Sequence, residues 1–294
     1  MTRAGRRSKK ALAPVAGAFI RSFEERPVLN APKAFIIHLE RATGRRPSVE
    51  ALRAHLPIES EVLPAVDGKL LPPEAVKAAY VRDRFSPRYP FALGLPEIGA
   101  FLSHRAAWRR IVDDGRDFAL VFEDDAAIDP ALFAALLDFA IAERGRWSYA
   151  LLPAAGLEPA GDVVARQGNF ALVRPVAPPL RAIGQIVSRA AAERLLALTE
   201  PFDRPVDTFL QMVWVTGETL LALTPTPIRD VSRETGGTTV QRRRTGLLRR
   251  LHHEAMRPVY RAKVLALYRR HIALESELDG AFTRAASARN GRAP

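Results

Sequence analysis

The chain has 294 residues, 44 Lys+Arg against 32 Asp+Glu, a formal charge of +12, and 48% hydrophobic residues. That composition excludes a wholly disordered or collagen-like chain and leaves length for a real core, in one large domain or two modest ones. Cysteine is absent, which excludes disulfides, thiolate nucleophiles and cysteine zinc sites but does not fix the compartment.

The charge is unevenly spread. Residues 1–30 hold 7 basic and 2 acidic side chains, 31–239 hold 24 and 26, and 240–294 hold 13 and 4. This predicts a basic N-terminal extension over 1–30, a near-neutral domain over 31–240 and a basic C-terminal region over 241–294. Residues 11–20 are apolar but span about half the ~20 residues that a membrane helix needs. Pro14 interrupts them and charges follow, so neither a span nor an export signal is expected.

From residue 33 the pattern is that of a folded domain. Lys33 to Leu39 reads as a buried strand, and Val49, Leu52 and Leu56 give the next segment helical spacing. Asp67-Gly68 marks a turn in a Pro-rich connection. Residues 95–115 read as a helix with Ile98, Phe101, Leu102, Trp108 and Val112 on an apolar side and Gly115 at its end. Phe118 to Phe122 is a continuous apolar strand, and Asp129-Pro130 opens a helix. Further strands are predicted at 148–153, 169–173 and 181–188, the last running into a helix over Arg189–Leu198. Strands alternating with helices argue for an α/β domain with a mainly parallel sheet.

The strongest local signal is Glu123-Asp124-Asp125, set directly after the apolar strand. Open α/β sheets bind ligands just beyond the carboxyl ends of their strands. Adjacent carboxylates repel unless a cation or ligand offsets the cost, and hard oxygen donors suit Mg²⁺ or Mn²⁺ held jointly with substrate phosphates. Strand alternation sends Glu123 and Asp125 one way and Asp124 the other. The competing reading is a solvated acidic turn.

Several segments together resemble one family, the lipooligosaccharide-biosynthesis glycosyltransferases of family 25. They are Phe35-Ile36-Ile37-His38-Leu39 with Arg45, then Ala65-Val66-Asp67-Gly68, then Glu97-Ile98-Gly99 running to Ser103-His104 and Trp108. Glu123-Asp124-Asp125 and Pro205-Val206-Asp207 complete the series. The likeness covers roughly residues 33–240 in the family's order. His38, Pro96, Ala100 and Gln185 depart from the family's usual Asn, Gly, Cys and aromatic residue, which leaves donor and acceptor identity open.

The resemblance implies a GT-A type α/β fold with a basic helical C-terminal extension. It implies a UDP-sugar donor, a galactose-like hexose transferred with inversion, and Mn²⁺ or Mg²⁺. Inversion needs one general base and no covalent glycosyl-enzyme. Asp207 is the expected base and Glu97 its competitor, unless Glu97 only complements a helix dipole. Asp125 and then Glu123 are the expected metal ligands, and Asp124 is expected to orient sugar hydroxyls. Arg45 is read either as a contact to donor phosphate or base, or as part of a solvated helix face. Asp67 is a turn residue or a donor contact; Ser103 and His104 are binding or structural. Asp230, Thr238 and Thr239 lie on a polar segment that reads either as a cleft-closing loop facing the donor or as a surface linker.

In the C-terminal region, Leu247, Leu248, Leu251, Val264, Leu265, Leu267, Tyr268 and Ile272 fall partly on helical spacing, with Pro258 expected to break the run. Two placements remain open: helices lying on an anionic membrane, or helices packed on the domain with a solvated basic face. The main expectation is a glycosyltransferase acting on a glycan or lipid-linked glycan, peripheral to the cytoplasmic face of an inner membrane, with no nucleic-acid partner and no expectation about oligomeric state. The alternative is a basic membrane- or nucleic-acid-binding protein on a catalytically inactive scaffold.

Overall fold

The computed structural model describes residues 31–181, 183–235 and 247–290, and in the last segment the side chains of 254–277. The expectations for residues 1–30, for Thr238 and Thr239, and for the side chains of Leu247, Leu248 and Leu251 lie outside the described residues.

In chain order the elements are β1 (Lys33–His38), α1 (Arg46–His55), β2 (Glu59–Pro64), α2 (Pro73–Ala79), α3 (Leu95–Asp113), β3 (Phe118–Glu123), β4 (Ala126–Ile128), α4 (Pro130–Ala142) and β5 (Tyr149–Leu151). They continue with β6 (Gly161–Gln167), β7 (Phe170–Pro175), β8 (Gly184–Ser188), α5 (Arg189–Leu198), α6 (Val206–Leu210), α7 (Val213–Thr216), β9 (Leu221–Thr224), β10 (Ile228–Asp230) and α8 (Leu247–Asn290).

Eight strands form one sheet in the order β2-β1-β3-β8-β5-β9-β7-β6. β1 pairs parallel with β2 and β3, and β5 parallel with β9; β8 opposes β3 and β5, and β7 opposes β9 and β6. Six of the eight strands therefore share one direction, with β8 and β7 reversed. The sheet is mixed: most strands run one way, but only three of its seven neighbouring pairs are parallel and four are antiparallel.

Alternation explains why β1 and β3 are apolar throughout. Ala34, Ile36, Phe118, Leu120 and Phe122 point to one face, where Val49 and Leu52 of α1 and Phe133, Leu136 and Leu137 of α4 cover them. Phe35, Ile37, Ala119 and Val121 point to the other, under residues of α3, α5, α6 and Tyr268 of α8. A strand buried on both faces has no polar side to show.

Local signals set the helix starts. Asp129 accepts a hydrogen bond from Leu132 N at 2.9 Å and Ser188 one from Ala191 N at 3.1 Å, satisfying N–H groups that the first turns of α4 and α5 leave open. Pro258 does not break the C-terminal run: α8 is one helix with Pro258 inside it. Tyr260, Val264 and Tyr268, spaced four residues apart, are buried, and Tyr268 Oη donates to Pro175 O at 2.8 Å. This stretch packs on the domain, and the packed apolar stripe outweighs the backbone bond lost at proline.

Candidate active site

Because β1 and β3 are parallel neighbours, their carboxyl ends open at the same edge. There lies a cavity of about 500 Å³ lined by Asp67, Glu97, Glu123, Asp124, Asp125, Asp207 and Asp230, together with Arg41, Arg45, Arg181, Ser103 and His104. All nine expected site residues line it. Seven carboxyl groups face three guanidinium groups, and each of those guanidiniums is already paired to a carboxylate.

The acidic triplet divides its work. Asp124 is buried and turned inward: Arg45 Nη1 donates to its Oδ1, its Oδ2 lies 2.9 Å from His38 Nδ1, and Leu39 N approaches at 3.4 Å. It anchors the loop after β1 and is not arranged as a free sugar-orienting group. Arg45, read from sequence as a phosphate contact or a solvated residue, is buried against Asp124 and lies 3.3 Å from Asp125. Glu123 lies 3.2 Å from His104 Nε2, and Gln185 Nε2 lies 3.3 Å from His104 Nδ1. A Gln185 amide donating to Nδ1 leaves the proton on Nε2, so His104 donates to Glu123 and orients it.

Asp125 is the least satisfied of the three. Its Oδ1 is buried without a hydrogen-bond partner. Burial, aided by the Glu123 charge, pushes its pKa up to about 7. An uncompensated buried carboxylate oxygen fits a bound cation. Among the described residues no three His, Asp or Glu side chains form a ready-made metal cage, so a cation here would complete its shell from phosphate or water.

The turn and helix motifs form one structural unit. Ser103 Oγ donates to Gly99 O and accepts from Val66 N, both at 2.8 Å. A Cβ on Gly99 would meet Val66 O at 2.5 Å and Gly68 N at 2.6 Å, and one on Gly68 would collide with Leu95 O. The two glycines let the 66–68 turn lie directly on the first turns of α3. Asp67 caps that turn through Lys69 N at 3.0 Å and is paired with Arg41, which holds its carboxyl below the usual range. Ser103 is thus a structural staple, and Asp67 serves the turn while lining the cavity.

Glu97 accepts a hydrogen bond from Gly94 N at 2.7 Å, so it does cap α3. Burial and the nearby Asp207 raise its pKa. Asp207 lies in the first turn of α6, where Thr208 N donates to it at 2.7 Å. Burial first, then the Glu123 charge, raise its pKa too, which makes it a stronger base when ionised. Asp230, on β10, pairs with Arg181 and accepts from Ser232 N at 2.9 Å.

One group had no readable signal. Asp203 and Arg204 form an ion pair with no exposed side-chain surface, at 2.7 Å. Arg204 also donates to Tyr260 Oη at 2.7 Å, Phe85 O at 3.0 Å and Pro87 O at 3.1 Å. It ties α8 and the 85–87 segment to the loop that delivers Asp207. Asp203 is adjacent, but Tyr260, Phe85 and Pro87 are remote in sequence, so no local pattern announces the cluster.

Residues 31–152 match the model of a family described as glycosyltransferase family 25 (LPS biosynthesis protein). A Drosophila melanogaster glycosyltransferase 25 family member is 32% identical over 209 residues, 65% of this chain and 32% of that protein. Human procollagen galactosyltransferase 2 is 36% identical over 101 residues, 32% of this chain and 16% of that one. A Bos taurus protein named probable inactive glycosyltransferase 25 family member 3 is 28% identical over 193 residues, 62% of this chain and 31% of that one. These matches span a third or less of the relatives' own length.

Proposed function

We propose that this chain, whose residues 31–152 match the glycosyltransferase family 25 model, is a member of that family and an active, cation-dependent, inverting hexosyltransferase of GT-A type. It moves a galactose-like sugar from a UDP-sugar to a lipopolysaccharide, lipooligosaccharide or related glycan. The observation that carries this reading is the buried, unpartnered Oδ1 of Asp125 in a cavity it shares with Asp207. An anionic donor cannot enter a site with that excess of carboxylates unless positive charge enters with it. Asp125 and Glu123 would hold Mn²⁺ or Mg²⁺, which supplies Lewis-acid stabilisation to the departing diphosphate.

The residues themselves do the rest. As the acceptor oxygen bonds to the anomeric carbon, the carbon–oxygen bond to the diphosphate breaks and its electron pair leaves with the diphosphate. Asp207 takes the acceptor's hydroxyl proton. Glu97, which also caps α3 through Gly94 N, is the competing candidate for that step. His104 holds Glu123 in place, and Asp124 with Arg45 fixes the loop beneath.

The lipid-linked acceptor places the enzyme against the cytoplasmic face of an inner membrane, peripherally. Among the described residues no helix is long and apolar enough to cross a membrane. Titration with nucleoside diphosphates, with and without Mn²⁺, tests the reading, followed by donor hydrolysis across a panel of nucleotide sugars. Mn²⁺-dependent binding lost in Asp125→Ala is the expected result. A wild-type chain that binds no nucleotide would overturn it.

A further inference from the structure

Arg181 has no part in the mechanism above, yet its placement is unusual. Its φ is +76°, in the left-handed region where a long side chain is strained and glycine is not. Its guanidinium pairs with Asp230, and its backbone N–H lies close enough to the Asp207 carboxylate to favour the ionised form. The segment leading to it is held by Gln211 Nε2, which donates to Pro178 O at 3.2 Å and Pro179 O at 3.0 Å. A backbone N–H alone would be supplied by glycine without strain. The strained conformation is therefore maintained for a residue whose side chain has a use.

Arg45 is less free to move. The Arg45 side chain is 6% exposed and is held between Asp124 and Asp125, whereas that of Arg181 is 58% exposed. Arg41 pairs with Asp67, which is tied into its own turn. Asp230 keeps its hydrogen bond from Ser232 N if Arg181 leaves. A half-exposed ion pair of this kind opens at little cost.

We propose that Arg181 is a donor-binding residue whose guanidinium exchanges Asp230 for the diphosphate of the nucleotide sugar, while its backbone N–H stays beside Asp207. A guanidinium fork matches phosphate oxygens bidentately, which an ammonium does not. One residue would then link the arrival of the donor to the position of the base. This rests on the glycosyltransferase reading.

The test compares wild type, Arg181→Gly and Arg181→Lys in titrations with UDP and with UMP, both with Mn²⁺, alongside thermal unfolding. Arg181→Gly is expected to lower the preference for UDP over UMP about tenfold, with an unchanged or higher Tm because the strain is relieved. Arg181→Lys should fall between. An unchanged UDP-to-UMP ratio in Arg181→Gly would overturn the proposal and leave the transferase reading intact. Equal losses for both ligands with a lowered Tm would also overturn it, in favour of a structural role. Wild type binding neither nucleotide would remove both.

Discussion

Asp125 carries a cost that depends on pH. Its carboxyl titrates near 7 in the folded chain against 3.8 as a free side chain. Below 3.8 it is protonated in both states and costs nothing. Between 3.8 and 7 the unfolded chain ionises while the folded one stays protonated, so stability falls as pH rises; above 7 the loss is complete. The full effect is on the order of a few kcal/mol. In chelator, wild type should therefore lose denaturant resistance from pH 4 to 8 relative to Asp125→Asn, whose curve lacks this contribution. Parallel curves would refute the buried-carboxylate account. Asp207→Asn tests a different property. It should leave nucleotide affinity near wild type and lower turnover by about 10²–10⁴, the usual range for a general base. Asp125 and Asp207 were legible in sequence because each follows a recognisable element. The fate of Asp124 was not, since Arg45 and His38 lie 79 and 86 positions away and only the folded sheet brings them together.

At the scale of elements, the contact between the 66–68 turn and α3 positions one wall of the cavity. Sequence shows its parts as two separate motifs; the fold shows why glycine and serine stand in them. Gly99→Ala should destabilise the protein by about 1–3 kcal/mol, because the new methyl meets backbone atoms that cannot rotate away. Ser103→Ala removes the bond to Val66 N and should cost about 1 kcal/mol. Equilibrium denaturation measures both, and a Gly99→Ala variant as stable as wild type would show that the turn can lift off the helix. The strands β1 and β3 were plain in sequence because burial on both faces leaves an uninterrupted apolar run. The reversed direction of β8 was not, because strand direction is set by pairing and leaves no periodic mark.

For the whole molecule, the question is what the basic C-terminal region does. Part of it holds the fold. Removing α8 would expose the apolar surface covered by Tyr260, Val264 and Tyr268, at about 1.5–3 kcal/mol for each large side chain, and would strip Tyr260 from the buried Arg204. Truncation after residue 246 should therefore unfold or aggregate the domain, visible as loss of a cooperative melting transition. A truncated chain that melts like wild type would refute this packing role. Deleting α8 consequently cannot test membrane recruitment, because folding would fail together with binding.

Recruitment has to be tested on the outward side of the intact helix, where Arg261, Lys263, Arg269 and Arg270 are exposed. Each basic residue held at an anionic lipid surface contributes about 1 kcal/mol, so four amount to about 4 kcal/mol, roughly a thousandfold in partitioning at moderate salt. Replacing all four by Glu should abolish co-sedimentation with vesicles rich in phosphatidylglycerol and leave behaviour with neutral phosphatidylcholine unchanged. Nucleotide affinity and Tm should stay near wild type, since these side chains are exposed while Tyr260, Val264 and Tyr268 are buried. If the variant still sediments with anionic vesicles, the attraction lies elsewhere in the chain. If wild type ignores the vesicles but binds duplex DNA with a steep salt dependence, the surplus charge serves nucleic acid and the membrane assignment fails.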